Sequence, residues 1–130
     1  MLTLRSNDAP PFTILVIDDQ RSTLKLMKNR LRAYGCKVVT VDSAEEALEM
    51  IEWGLRFSLI ITDLKMPWLD GVQFCRRIKA RYPETKIVAL SGNLAAYDRQ
   101  ELESSGFDGI YQKPVCNQLV RQMLKHAVQA

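Results

Sequence analysis

Carboxylate side chains follow two short apolar segments of the chain. Asp18 and Asp19 come directly after the run Thr13–Ile17, and Asp63 comes directly after Leu59–Thr62. Three carboxylates in one pocket would repel one another and resist full ionisation, and a hard divalent cation would relieve that conflict. Magnesium suits such a site because it binds few carboxylates together with water and a phosphate oxygen. No His or Cys stands at these positions to favour a transition metal.

Two further segments end in a hydroxyl and an ammonium group. Ser91 follows Lys86–Leu90, and Lys113 follows Gly109–Tyr111. A carboxylate such as Asp63 can attack phosphorus and form an aspartyl-phosphate. Such a transfer depends on neutralising charge on the phosphoryl oxygens, which a metal, an ammonium and a hydroxyl can do. Each residue alone is as well explained as a helix cap, a turn or a loop, but together they indicate phosphoryl transfer to Asp63.

The segments that carry these residues belong to an alternating series of strands and helices. Five apolar or β-branched runs are predicted as strands: Thr13–Ile17, Lys37–Val41, Leu59–Thr62, Lys86–Leu90 and Gly109–Tyr111. Between and after them, apolar residues recur at helical spacing. This alternation predicts an α/β fold, a flavodoxin-like doubly wound parallel sheet of order 2-1-3-4-5 with helices on both faces. Ligands bind such sheets at the carboxyl ends of strands 1 and 3, where the acids stand.

Several residues mark where the helices should begin or end. Ser43 and Glu46 have the spacing of a capping box, and Asp70 can cap the helix that ends before Pro83. Pro114 is placed to begin the last helix. Residues 94–104 read as one weaker helical segment, because they contain fewer apolar positions.

Composition narrows the class of protein. The chain has 130 residues and 47% hydrophobic residues, enough for a single folded domain, which we place at 12–130 after a flexible arm over 1–11. No apolar run is long enough for a membrane span. The net charge of +3 is too small and too dispersed to predict nucleic-acid contact. Cys36, Cys75 and Cys116 form no CxxC pair, and we expect buried thiols and a cytoplasmic location.

Four motifs resemble those of the receiver domain of two-component response regulators, over about Thr13 to Ala127. The longest, D-L-K-M-P-W-L-D-G, is highly specific to that family. The four motifs are Ile14–Asp19, Asp63–Gly71, Ala89–Gly92 and Gln112–Pro114.

The resemblance implies that Asp63 is the phosphoacceptor and that Mg²⁺ is the cofactor. Asp19, Asp63 and the backbone carbonyl of Lys65 would bind the ion directly, and Asp18 would bind it through water. These assignments follow from matching motif positions in this sequence.

The resemblance also assigns the other two side chains. Lys113 would contact the phosphoryl group, Ser91 would close on it after transfer, and Pro114 would follow a cis peptide bond. The family commonly has an aromatic residue three positions before the Lys, where this chain has Ile110. Tyr111 is adjacent but should point to the opposite face of the strand, so the usual aromatic switch is in question.

By the same resemblance, the partners are a sensor histidine kinase or histidine phosphotransfer protein as donor, and an output domain or protein as target. The resemblance is also compatible with a homodimer that forms on phosphorylation. The chain would be a signalling phosphoacceptor and not an enzyme acting on other substrates. We predict that Trp68 is an exposed loop residue or contacts a partner, and that His126 is not a ligand of the site.

Three other functions are compatible with the same fold. A phosphorylation-independent interaction module would usually lack one of the acids or the Lys, and none is missing here. A flavin or nucleotide enzyme would need a phosphate-binding loop after strand 1, where two carboxylates stand instead. A metal-dependent phosphatase would need a general acid beside Asp63, and Lys65 is a poor one.

Overall fold

A computed structural model describes residues 12–128 as one parallel sheet with helices on both faces. The five strands pair in the order β2-β1-β3-β4-β5, so the predicted fold class is confirmed. No helix among these residues is long and apolar enough to cross a membrane. The elements are β1 Thr13–Ile17, α1 Arg21–Arg32, β2 Lys37–Val41, α2 Ala44–Glu52, β3 Leu59–Thr62, α3 Gly71–Arg81, β4 Ile87–Ser91, a 3₁₀ turn Leu94–Ala96, α4 Arg99–Ser104, β5 Gly109–Gln112 and α5 Asn117–Val128.

Successive strand residues point to opposite sides of the sheet, and because both sets are apolar here, both faces of the sheet are apolar. In β1, Ile14 and Val16 pack with α1 and α5, whereas Leu15 and Ile17 pack with α2 and α3. A third, smaller cluster lies under α4 and includes Leu102. These four residues of β1 are all buried, which explains the near-continuous apolarity of that run. The predicted arm over 1–11 lies outside the described residues.

Four element boundaries differ from the sequence predictions; the smallest difference is that β5 ends at Gln112 and not at Tyr111. Residues 94–104 form a 3₁₀ turn and then α4, because Asp98 caps a new helix by accepting a hydrogen bond from the Gln100 backbone N–H at 2.9 Å. The last helix begins at Asn117 and not at Pro114. β4 runs one residue later than expected, over Ile87–Ser91, so Ser91 ends the strand rather than following it.

The helix caps also differ in one respect from the prediction. Ser43 accepts a hydrogen bond from the Glu46 backbone N–H at 3.2 Å, which is half of the expected capping box. A complete box is found at the start of α3, within the described part of the chain. There the Asp70 carboxylate accepts from the Gln73 N–H at 2.8 Å, and the Gln73 side chain accepts from the Asp70 N–H at 3.0 Å.

One of the three cysteine predictions was wrong. Cys36 and Cys75 are buried, as expected, and burial raises the pKa of their thiols to about 11 and about 12. Cys116 is exposed, because it lies in the connection between β5 and α5, beyond the edge of the sheet.

A tyrosine and a histidine join β5 to α5. The Tyr111 hydroxyl and His126 Nε2 are 2.7 Å apart, and the two rings meet edge to face. They cross over Gly109, where an added Cβ would lie 2.7 Å from His126 Nε2. Burial lowers the pKa of His126; Asp108 acts to raise it and Lys86 to lower it. The folded protein therefore favours the neutral imidazole.

We expect this contact to make stability depend on pH. Between the lowered folded-state pKa of His126 and its ordinary value of 6.5, the unfolded chain binds the proton more readily, so the free energy of unfolding rises with pH and then levels off. His126→Gln removes this contribution. Urea titrations from pH 5 to 8 should show the wild-type advantage over the variant growing up to about pH 7. Parallel pH curves for the two proteins would contradict the prediction.

Candidate functional site

The three predicted acids meet at the carboxyl edge of the sheet. One carboxylate oxygen from each of Asp18, Asp19 and Asp63 lies within 4.8 Å of the others. β1 and β3 are neighbours, with Ile17 paired to Thr62, so the residues after them emerge side by side. Asp18 and Asp63 are buried and Asp19 is exposed, which leaves one side of the cluster open to solvent.

Backbone hydrogen bonds hold the two buried carboxylates in place. Asp63 Oδ1 accepts from the Leu64 N–H at 2.7 Å, and the Asp63 N–H donates to the Ile17 carbonyl at 2.9 Å. Asp18 Oδ1 accepts from the Gln20 N–H at 2.8 Å. In both residues one carboxylate oxygen is thus occupied, and Oδ2 faces the rest of the site.

Lys113 supplies the positive charge that faces these free oxygens. Its Nζ lies 2.8 Å from Asp18 Oδ2 and 3.7 Å from Asp63 Oδ2. Its backbone N–H donates to the Ser91 carbonyl at 2.8 Å, which ties the end of β5 to the end of β4. The Lys113-Pro114 bond is cis, as predicted.

Ser91 is a further predicted site residue, and it is buried at the end of β4. Its Oγ accepts a hydrogen bond from the Asn93 backbone N–H at 3.1 Å. A hydroxyl that accepts in this way keeps its own hydrogen free to donate. Ser91 therefore combines a fixed position with an uncommitted donor.

The balance of charge at Asp63 opposes its ionisation. Burial raises the pKa of the Asp63 carboxyl, and the Asp18 charge raises it further. Lys113 and the backbone N–H groups of Leu64 and Lys65 act in the other direction without cancelling the rise. The repulsion expected from the sequence is therefore present, and one ammonium does not neutralise three carboxylates.

A cavity of about 540 Å³ opens onto the cluster. Asp19, Asp63, Lys65, Ser91 and Lys113 contribute to its lining, so five of the six predicted site residues share one opening. Asp18 lies beneath Lys113 instead. The lining also includes an aromatic side chain, Tyr97, which the sequence analysis did not select. The only sequence signal for it was its position in the connection after Ser91.

Gly71 allows α3 to begin directly against the backbone of Asp63, the candidate phosphoacceptor. A Cβ at this position would overlap the carbonyl oxygen of Asp63 and lie 3.0 Å from Cα of Leu64. The Gly71 N–H donates to the Leu64 carbonyl at 2.9 Å, so the approach is held by a hydrogen bond. The glycine of the D-L-K-M-P-W-L-D-G motif therefore has a positional role, because it lets the helix support the loop that carries Asp63.

Two residues that the sequence singled out, Trp68 and His126, lie outside the acid cluster. Trp68 is 93% exposed, and its φ of +71° is a conformation that a tryptophan rarely adopts. His126 pairs with Tyr111, as described above, and does not line the cavity. Ile110 and Tyr111 pack in different clusters, on opposite faces of the sheet, as predicted.

Comparison with known proteins agrees with this geometry. Residues 14–125 match the family model for the response regulator receiver domain. The chain belongs to that family. Receiver domains are signalling phosphoacceptors of two-component systems that work with histidine kinases and output domains, and they typically bind Mg²⁺ at an acidic cluster.

Similar proteins include longer sensor proteins and a chemotaxis response regulator. Sensor protein TorS of Escherichia coli is 28% identical over 116 residues, and hybrid signal transduction histidine kinase L of Dictyostelium discoideum is 29% identical over 119. These matches cover 89% and 86% of this chain but only 13% and 7% of those relatives. The chemotaxis response regulator CheY4 of Vibrio cholerae superposes with a TM-score of 0.81 at 26% identity, covering 91% of this chain and 99% of that structure.

Gly71→Ala tests the positional role of the glycine. The added methyl group would meet backbone atoms of Asp63 and Leu64, which cannot rotate away as a side chain could. We therefore expect a loss of about 1–3 kcal/mol in the free energy of unfolding. Gly92→Ala is the matched control, because its added Cβ would meet only the Lys113 side chain, at 3.8 Å. Chemical denaturation of both variants measures the difference. Equal stability of the two would show that the approach of α3 is not restrictive.

Asp63→Asn tests the charge repulsion. The neutral amide removes a buried charge that the folded protein disfavours, so without divalent ions the variant should be more stable than wild type at pH 7. The gain should shrink on acidification, as the wild-type carboxyl takes up its proton. Thermal denaturation in a chelator at pH 7 and pH 4 measures both effects. A variant less stable than wild type at pH 7 would contradict the prediction.

Proposed function

We propose that this domain, over residues 12–130, accepts a phosphoryl group on Asp63 and changes conformation as a result. One observation supports this above all others. Lys113 Nζ lies 2.8 Å from Asp18 and 3.7 Å from Asp63, so a partly buried ammonium faces the free oxygen of a buried carboxylate at a solvent-accessible cavity. That arrangement suits attack on phosphorus, because the charge on the incoming phosphoryl oxygens is met by a fixed cation.

The same residues fit a magnesium ion. The donor set is three carboxylates of which one is exposed, and oxygen ligands with room for water are what Mg²⁺ prefers. Asp19, Asp63 and the Lys65 backbone carbonyl would hold the ion directly, and Asp18 through water. When bound, it would neutralise charge on a phosphoryl oxygen and relieve the repulsion among the acids.

The protein residues then have separate tasks in the transfer. Asp63 Oδ2 attacks phosphorus while the bond to the donor breaks, and the donor group leaves with the electron pair. Lys113 contacts one phosphoryl oxygen, and the free hydroxyl hydrogen of Ser91 is available to another. The modified Asp63 carries about two negative charges in place of one, so Lys113 and Ser91 gain a reason to move toward it.

The donor and the target are proposed from the family. We propose a phosphohistidine on a sensor histidine kinase or phosphotransfer protein as donor, and an output domain or protein as recipient of the signal. The domain would act in the cytoplasm, without direct contact to nucleic acid and without turnover of other substrates. The segment after Ser91 is a suitable reporter of the change, since it holds only a 3₁₀ turn and a six-residue α4.

Acetyl phosphate with Mg²⁺ tests the phosphoacceptor assignment. The wild-type protein should gain the mass of one phosphoryl group, and Asp63→Asn should abolish an adduct that is stable to acid and labile to base. Intact-protein mass spectrometry measures the occupancy. Lys113→Ala should lower the rate of labelling roughly tenfold or more, because it removes the fixed cation.

Asp42→Asn is the matched control for that experiment. Asp42 is an exposed carboxylate that also follows a strand of the same sheet, β2. Its substitution should leave labelling unchanged. A phosphoryl adduct that survives in Asp63→Asn would refute the assignment of Asp63 as phosphoacceptor. Labelling that does not depend on Mg²⁺ would refute the proposed role of the ion.

A further inference from the structure

The cavity over the acid cluster has one aromatic wall. Among the described residues that line it, only Tyr97 is aromatic, and it follows the 3₁₀ turn after Ser91. Tyr97 is partly buried and, like Ile110, packs against the buried cluster that contains Leu64 and Ala89. Its ring therefore lies on the same side of the sheet as Ile110 and borders the opening that leads to Asp63.

Hydrogen bonds attach this wall to the site. The Tyr97 N–H donates to the Leu94 carbonyl at 3.0 Å, and the Leu94 N–H donates to the Gln112 side chain at 3.2 Å. At the start of the same segment, Asn93 is bonded to the Ser91 hydroxyl. Tyr97 is thus carried by a segment that is anchored at Ser91 and at the end of β5.

The electrostatic surroundings of Tyr97 agree with this placement. Burial raises the pKa of its phenol, and the negative charges of Asp63 and Asp70 raise it further. The phenol therefore lies close enough to the acids to sense their charge and stays protonated at neutral pH.

We propose that Tyr97 is a positioning residue that limits the access of water to the phosphorylated Asp63 and so sets how long the modification lasts. This inference rests on the proposed phosphorylation of Asp63. Loss of the group requires a water oxygen to bond to phosphorus as the bond from phosphorus to Asp63 breaks. The electron pair returns to the carboxylate, the proton passes to solvent, and inorganic phosphate leaves. A ring bordering the opening restricts the paths by which that water reaches phosphorus.

The test is the decay of the phosphorylated protein. Wild type, Tyr97→Ala and Tyr97→Phe are labelled with acetyl phosphate and Mg²⁺, desalted, and followed by mass spectrometry. Tyr97→Ala should decay roughly threefold faster or more, because the wall is removed. Tyr97→Phe should decay within about twofold of wild type, because the ring remains. Leu94→Ala is the matched control: Leu94 belongs to the same segment and packs in the same cluster, but does not line the cavity.

Each outcome is decisive for one of the two proposals. If wild type is not labelled, phosphorylation of Asp63 itself fails. If wild type is labelled and Tyr97→Ala decays at the wild-type rate, the role of Tyr97 fails alone. Equal acceleration in Leu94→Ala also overturns it, because loosening of the segment would then be the cause, and equal acceleration in Tyr97→Phe would assign the effect to the hydroxyl. Should Tyr97→Ala not fold, Tyr97→Val replaces it with the same expectation, since it also leaves most of the ring volume empty.

Discussion

The repulsion among three carboxylates, opposed by one ammonium, is the constraint on which the rest of this structure depends. Carboxylate oxygens of Asp18, Asp19 and Asp63 lie within 4.8 Å of one another, and among the described residues Lys113 is the one cation that contacts the two buried acids. The burial that raises the pKa of Asp63 also reduces the screening of its charge by water. The site therefore holds an excess of negative charge, on which a divalent cation or a change at Asp63 would act directly.

The fold holds this unfavourable cluster in place through core packing on both faces of the sheet and through backbone hydrogen bonds to the acids. Two buried faces hold the sheet rigid, and backbone N–H groups occupy one oxygen of each buried acid. α3 presses against the Asp63 loop through Gly71, and its own start is closed by the Asp70–Gln73 capping box. The cap, the glycine and the acid of this short motif thus share one structural role, because the first two support the loop that carries the Asp63 carboxylate.

The connections after the strands differ in how firmly they are held. The acids follow β1 and β3, which lie at the centre of the sheet and are covered on both faces. Ser91 leads into the 3₁₀ turn and α4, whose buried contacts are fewer: α4 contributes only Leu102 to the core. A site of fixed charge is therefore joined to a segment that can rearrange at lower cost, and Tyr97 lies between the two.

The amino-acid sequence was sufficient for the strand order, the acids, Ser91 and Lys113, because apolar runs define the strands and parallel strands bring their carboxyl ends to one edge. The tertiary structure decided what depends on distances between segments. It paired Lys113 more closely with Asp18 than with Asp63, brought α3 against the Asp63 carbonyl, divided residues 94–104 at Asp98, left Cys116 exposed and placed Tyr97 at the cavity. Local periodicity carries no information about such contacts, since each joins side chains and backbone from elements that meet only when the sheet has formed.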